Sequence, residues 1–172
     1  KAMGVEFNPD MVELSKKAAI KEGVADRATF VQGDLFKADI SKATVITMFL
    51  LPQLNLKLRP QLLDLKPGTR IVSNTFTMDD WSPDDTVRAA EDCETWCLAL
   101  LWIVPAKVAG TWKMPTGDLT LTQQFQMLSG SLTGTNGPLA VENGKMKGTE
   151  IEFGVNGVRY RGIVNGDSMS GT

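Results

Sequence analysis

The chain has 172 residues, 42% of them apolar and 22% charged, with a formal net charge of −2. That is room for one ordinary domain, or a small domain with an appendage, in a chain of globular composition. No long basic run is present, so capture of nucleic acid or an anionic membrane by charge alone is not expected. Histidine is absent, which removes imidazole as base or metal ligand.

The two cysteines are Cys93 and Cys97. With no second pair they do not make a zinc site, and no metal is expected. Four residues apart in a strand they share a face but stand too far apart to bridge, so both are expected as reduced thiols. Neither a signal peptide nor a long apolar run is present, so a cytoplasmic location without membrane contact is expected. The chain begins without Met and stops at Ser170-Gly171-Thr172 inside a series of hairpin-like runs; it reads as a fragment at both ends.

Ala2 to Phe7 is a short strand ending beside an acid, Glu6. Asn8-Pro9-Asp10 then opens a helix: Asn8 caps, Pro9 fits the first position, and Asp10 suits the positive end of the dipole. The helix is expected to reach about Glu22, with Met11, Leu14 and Ala18 as its apolar stripe, Glu13 paired with Lys17, and Gly23 as its stop. Ala28 to Gln32 is a second strand, followed by Gly33-Asp34-Leu35-Phe36. The apolar run Thr44 to Leu51 is a third, expected to be buried on both faces. Leu54 to Leu65 is helical, interrupted or begun afresh at Pro60. Lys66-Pro67-Gly68-Thr69 is a turn and Arg70 to Phe76 a fourth strand. This alternation predicts α/β architecture: a partial Rossmann-like doubly wound sheet.

The pattern then changes. Trp96 to Val104 is an apolar run, read as a strand from its Val, Ile and two Trp. From Gly110 short alternating runs follow, with Asn143-Gly144, Asn156-Gly157 and Asn165-Gly166 as hairpin turns, so an antiparallel meander or barrel-like module is expected. The division is placed between residues 1–108 and 109–172, with Trp112 and Tyr160 as packing residues of the second part.

Ligands of open parallel sheets bind beyond the carboxyl ends of the strands. That rule selects Glu6-Phe7, Gly33-Asp34-Leu35, Phe49 to Gln53, and Asn74 to Trp81. A carboxylate at Glu6 suits a ribose diol, or else the start of the helix. A carboxylate at Asp34 suits an exocyclic adenine amine, or else a cap. Together they fit an adenosine site.

The runs GVEFNPDMVELSKKAA, FVQGDLF, ATVITMFLLP and LKPGTRIVSNTF resemble the second to fifth strand region of class I S-adenosylmethionine (SAM) dependent methyltransferases. FLLPQLNLKLRPQLL with PGTRIVS also resembles a subgroup that includes small protein-lysine methyltransferases. The resemblance implies SAM as cofactor, Glu6 on its ribose, Asp34 on its adenine amine, Phe7 and Leu35 flanking the ring, and Gly33 and Phe49 within the same site. It also implies that the glycine-rich loop for the methionine end of SAM lies upstream of Lys1. Where some amino-methylating relatives carry Asn/Asp-Pro-Pro-aromatic, this chain has Leu51-Pro52-Gln53-Leu54. Gln53, Asp79 and Asp80 are the candidates for orienting an acceptor or taking its proton. The expected partner is a methyl acceptor, a protein or a small molecule, with a protein amine among the options; oligomeric state is left open. Two rival readings are a NAD-dependent oxidoreductase, whose ribose also meets a strand-end acid, and a non-catalytic binding scaffold.

Overall fold

The computed structural model describes residues 1–89, 92–135 and 137–172. The chain divides into two units, Lys1–Lys42 and Ala43–Thr172.

In the first unit, β1 (Ala2–Glu6) pairs in parallel with β2 (Ala28–Gln32), Glu6 standing opposite Gln32. The helix α1 (Pro9–Lys21) connects them. Its start is the expected one: Asn8 Oδ1 accepts from the Asp10 amide at 2.9 Å, and Pro9 takes the first turn. Its end is a left-handed glycine cap. The Val24 amide donates to Ala19 O, the Gly23 amide to Ile20 O, and Gly23 has φ 65°. The buried face differs from expectation. Val12 and Ala19 are buried, while Met11, Leu14 and Ala18 are exposed. At about 100° per residue, the turn that aims Val12 and Ala19 at β1 and β2 rotates Leu14 to the far side. Glu13 pairs with Lys16 at 2.8 Å rather than with Lys17.

In the second unit, β3 (Val45–Met48), α2 (Pro52–Leu63) and β4 (Arg70–Asn74) follow one another as strand, helix and strand, with β3 and β4 paired in parallel. β3 is shorter than its apolar run and only Met48 is buried, because Phe49 to Leu51 leave the strand to start the helix at Pro52. α2 runs through Pro60 without a break. β5 (Asp85–Arg88) and β6 (Leu98–Ile103) complete a four-stranded mixed sheet, order β3-β4-β6-β5, with β6 antiparallel to β4 and β5. The apolar run from Trp96 is thus a strand from Leu98 onward.

Between these strands the cysteines correct the sequence reading: Cys93 and Cys97 form a disulfide with their Cα atoms 5.8 Å apart. A strand would hold the two sulfurs apart. Residues 92–97 instead curl ahead of β6, with Trp96 at φ 57°, and the curl brings the two sulfurs together.

An eight-stranded antiparallel sheet follows: β7 (Gly110–Met114), β8 (Gly117–Gln124), β9 (Met127–Gly134), β10 (Gly137–Ala140), β11 (Glu142–Lys147), β12 (Glu150–Val155), β13 (Val158–Asn165) and β14 (Ser168–Gly171). β10 and β11 share one edge of β9, and β12, β13 and β14 continue as a meander. The Asn156-Gly157 turn is as expected, both residues having positive φ. Asn143-Gly144 is not a hairpin turn. It lies inside β11, where the register shifts between Glu142 and Lys145, so its left-handed Asn makes a bulge. At Gly130, φ is 148° and a Cβ would lie 1.9 Å from Thr120 O, so only glycine permits this close pairing of β8 and β9.

Leu119, Leu121, Met146, Ile151, Phe153 and Val164 lie in the core of this sheet; Trp112 and Tyr160 pack against it, as expected. Side chains join it to the rest of its unit. Gln123 donates to Ala106 O at 2.9 Å and accepts from the Val108 amide at 2.7 Å; Gln126 donates to Ser82 O at 2.8 Å. Phe125 stacks on Trp81, and Lys145 pairs with Asp84 at 3.4 Å. Among the described residues no helix is long and apolar enough to cross a membrane.

Candidate functional site

The parallel register of β1 and β2 carries two carboxylates to neighbouring strand ends. The Gly33 amide donates to Glu6 O at 3.0 Å, which makes Glu6 and Gly33-Asp34 adjacent. Glu6 is exposed, and its Oε1 accepts from the Asn8 amide at 2.8 Å. Asp34 caps the 3-10 turn Leu35–Lys37, its Oδ1 accepting from the Phe36 amide at 3.0 Å. Each carboxylate is therefore oriented by a backbone amide through one oxygen and presents the other. Cap and acceptor are thus open to one carboxylate at once. Phe7 is 80% exposed, and Leu35 is half-buried beside Asp34. Two oriented anionic acceptors with an unburied ring and an aliphatic side chain fit a ribose diol and a purine amine.

The remaining candidates lie in the second unit. Phe49 follows β3 and is 57% exposed. Its ring meets two aromatics that the sequence pattern did not single out: Phe76 at 5.6 Å and Trp96 at 5.4 Å between ring centroids, with Phe76 and Trp96 5.2 Å apart. Strand register explains the meeting. Asn74 pairs with Ala99, and the Thr75 amide donates to Leu98 O at 2.7 Å, so the start of antiparallel β6 lies at the carboxyl end of β4. Fully buried Asn55 of α2 donates to Phe76 O and Thr77 O, both at 3.2 Å, and buried Ser73 donates to Phe76 O at 2.7 Å. Phe76 lies inside the Asn74 to Trp81 loop that the strand-end rule selects; Trp96 has no signal beyond opening an apolar run.

Gln53 is exposed in the first turn of α2. Asp79, at φ 58°, is exposed on the turn between Met78 and Trp81. Asp80 is committed elsewhere: its carboxylate pairs with Arg59 at 2.5 Å, while Arg59 also donates to Met78 O and lies over the Phe125 ring. Among the described residues no cluster of three or more His, Cys, Asp or Glu side chains has a metal-holding arrangement.

Residues 1–85 match the ANTKMT methyltransferase domain. A protein-lysine N-methyltransferase of Saccharolobus islandicus (strain REY15A) is 44% identical over 92 residues, covering 53% of this chain and 57% of that protein. An adenine nucleotide translocase lysine N-methyltransferase of Mus musculus is 30% identical over 92 residues, covering 53% and 40%. The chain thus spans about half the length of the curated relatives it matches. The crystal structure of an RNA methyltransferase from Salinibacter ruber in complex with S-adenosyl-L-homocysteine is similar at 48% identity and a TM-score of 0.56, covering 62% of this chain and 67% of that one. Sequence match and shared fold agree: the chain belongs to the SAM-dependent methyltransferases and, among them, resembles proteins named as protein-lysine methyltransferases.

Proposed function

We propose that the protein transfers the methyl group of SAM to a lysine amine of a protein acceptor. The observation that carries this reading is the adjacency of Glu6 and Asp34 at the ends of paired parallel strands, each steered by a backbone amide. SAM supplies an electrophilic methyl group on a sulfonium. Glu6 accepts from the ribose hydroxyls, Asp34 from the adenine amine, Phe7 and Leu35 flank the ring, and Gly33, whose amide donates to Glu6 O, belongs to the same set. Phe49, which the resemblance implies for the same site, belongs to the other unit and is read with Phe76 and Trp96. The parallel pairs β1-β2 and β3-β4, joined through helices, support a Rossmann-like doubly wound core over residues 1–108, with residues 109–172 as a β module.

The transfer is an in-line displacement. The neutral amine nitrogen forms a bond to the methyl carbon as the carbon–sulfur bond breaks, its electron pair goes to sulfur, and the new ammonium loses its surplus proton to solvent. Gln53 and Asp79, both exposed, are the proposed orienting groups; Asp80 holds Arg59. The names of the relatives support a protein amine as acceptor. Calorimetric titration of the full-length protein with SAM and with NAD tests the cofactor. Saturable SAM binding with none of NAD is expected; the reverse would replace methyl transfer by hydride transfer.

A further inference from the structure

The three rings of Phe49, Phe76 and Trp96 are large and mutually packed; Phe76 is half-buried, while Phe49 and Trp96 stay open at 57% and 53% exposure. They stand at the carboxyl ends of β3 and β4, the end of a parallel sheet where ligands bind. The backbone around them is strained. Thr75, a β-branched residue, has φ 64°, and Trp96 has φ 57°. Such conformations persist only where surrounding contacts hold them, and they gather at binding sites. Here the contacts are visible. Asn55 and Ser73 grip Phe76 O from beneath, the Leu98 carbonyl takes the Thr75 amide, and the Cys93–Cys97 disulfide closes the loop that carries Trp96.

The segment from Asp92 to Cys97 is anionic. Asp92 and Glu94 are exposed, and among the described residues neither pairs with a cation. Exposed ring faces beside unpaired carboxylates complement one side chain in particular: an aliphatic stem ending in an ammonium group. The stem covers aromatic surface, the rings attract the cation by their quadrupoles, and the carboxylates draw a basic segment toward them.

We propose that Phe49, Phe76 and Trp96, with the disulfide-closed acidic loop, form the subsite for the acceptor lysine and retain it after methylation, when the bulkier and less hydrated ammonium suits the rings better. This rests on the methyltransferase reading and goes beyond it by assigning the acceptor side to residues outside the adenosine site. Because the rings are packed on one another, they form a platform for the side chain to lie on, not a closed cage.

The test uses full-length protein with labelled indole nitrogens, the Trp96 signal being assigned by its loss in Trp96→Phe. The probes are Nα-acetyl-trimethyllysine amide and its neutral isostere with carbon in place of the charged nitrogen. Saturable shifts of the Trp96 signal by the cation are expected, with the isostere weaker by about fivefold or more. Trp96→Ala should abolish the discrimination and leave SAM affinity unchanged. Equal binding of cation and isostere overturns the proposal, as does a Trp96 signal that responds to oligouridylate and not to the lysine probe. Either result with SAM binding intact leaves the methyltransferase reading standing, whereas failure of wild type to bind SAM refutes that reading itself.

Discussion

Asn55 ties the packing of the α/β part to the aromatic platform, and its removal has a calculable cost. Its side chain is wholly buried and spends both amide hydrogens on Phe76 O and Thr77 O. At about 1 kcal/mol net per neutral hydrogen bond, Asn55→Ala forfeits about 2 kcal/mol. The small void adds to this, while loss of the buried Asn55 Oδ1, which has no partner, offsets part of it. The expected loss is about 1.5–3 kcal/mol in urea unfolding followed by circular dichroism, at unchanged slope. Asn55→Asp has a distinct signature. Its carboxyl would face the same two carbonyls in a buried site, so its pKa rises in the folded state. A raised folded pKa gives stability that is present below the unfolded value, about 4, and lost as pH climbs through the folded one. The Asp variant should therefore approach wild type near pH 4 and fall below the Ala variant at pH 7. A loss under about 0.5 kcal/mol for Asn55→Ala, or an Asp variant indifferent to pH, would refute the role given to this side chain.

Glu6→Gln and Asp34→Ser should each weaken SAM binding by calorimetry, by about 1.5–3 kcal/mol for a lost charged hydrogen bond; Ser keeps the cap, so unchanged affinity would remove Asp34 from the site. Arg59→Met should lower stability by about 1–3 kcal/mol, since it ends the Asp80 pair, the bond to Met78 O and the stacking on Phe125 together; a melt identical to wild type would contradict that. Cys93→Ser with Cys97→Ser should raise KM for the protein acceptor several-fold and spare SAM affinity, and equal loss of both would show that the loop supports the whole fold.

The strand-end acids and the turns around them were legible because their signals are local. Asn8-Pro9-Asp10 and Gly33-Asp34 announce a helix start and a cap directly after apolar strands, and both are found there. The aromatic platform was not legible, because residues 49, 76 and 96 meet only through the register of β4 with β6 and the end of β3. β5 was missed for a related reason: Asp85–Arg88 is exposed throughout and is held by backbone pairing to β6, so it carries no apolar pattern. Asn143-Gly144 was misread because a left-handed Asn serves a bulge as readily as a turn. The thiols were misread because the bridge forms in a curl that the spacing rule for strands does not cover.

The central claim is methyl transfer to a lysine amine. Full-length protein is incubated with SAM labelled in its methyl group and a protein fraction freed of nucleic acid, in parallel with RNA from the same cells, and both are hydrolysed and separated. Label should co-migrate with methylated lysine and fall sharply in the Glu6→Gln variant when SAM is below saturation. Label confined to nucleosides, with lysine unlabelled, would contradict it.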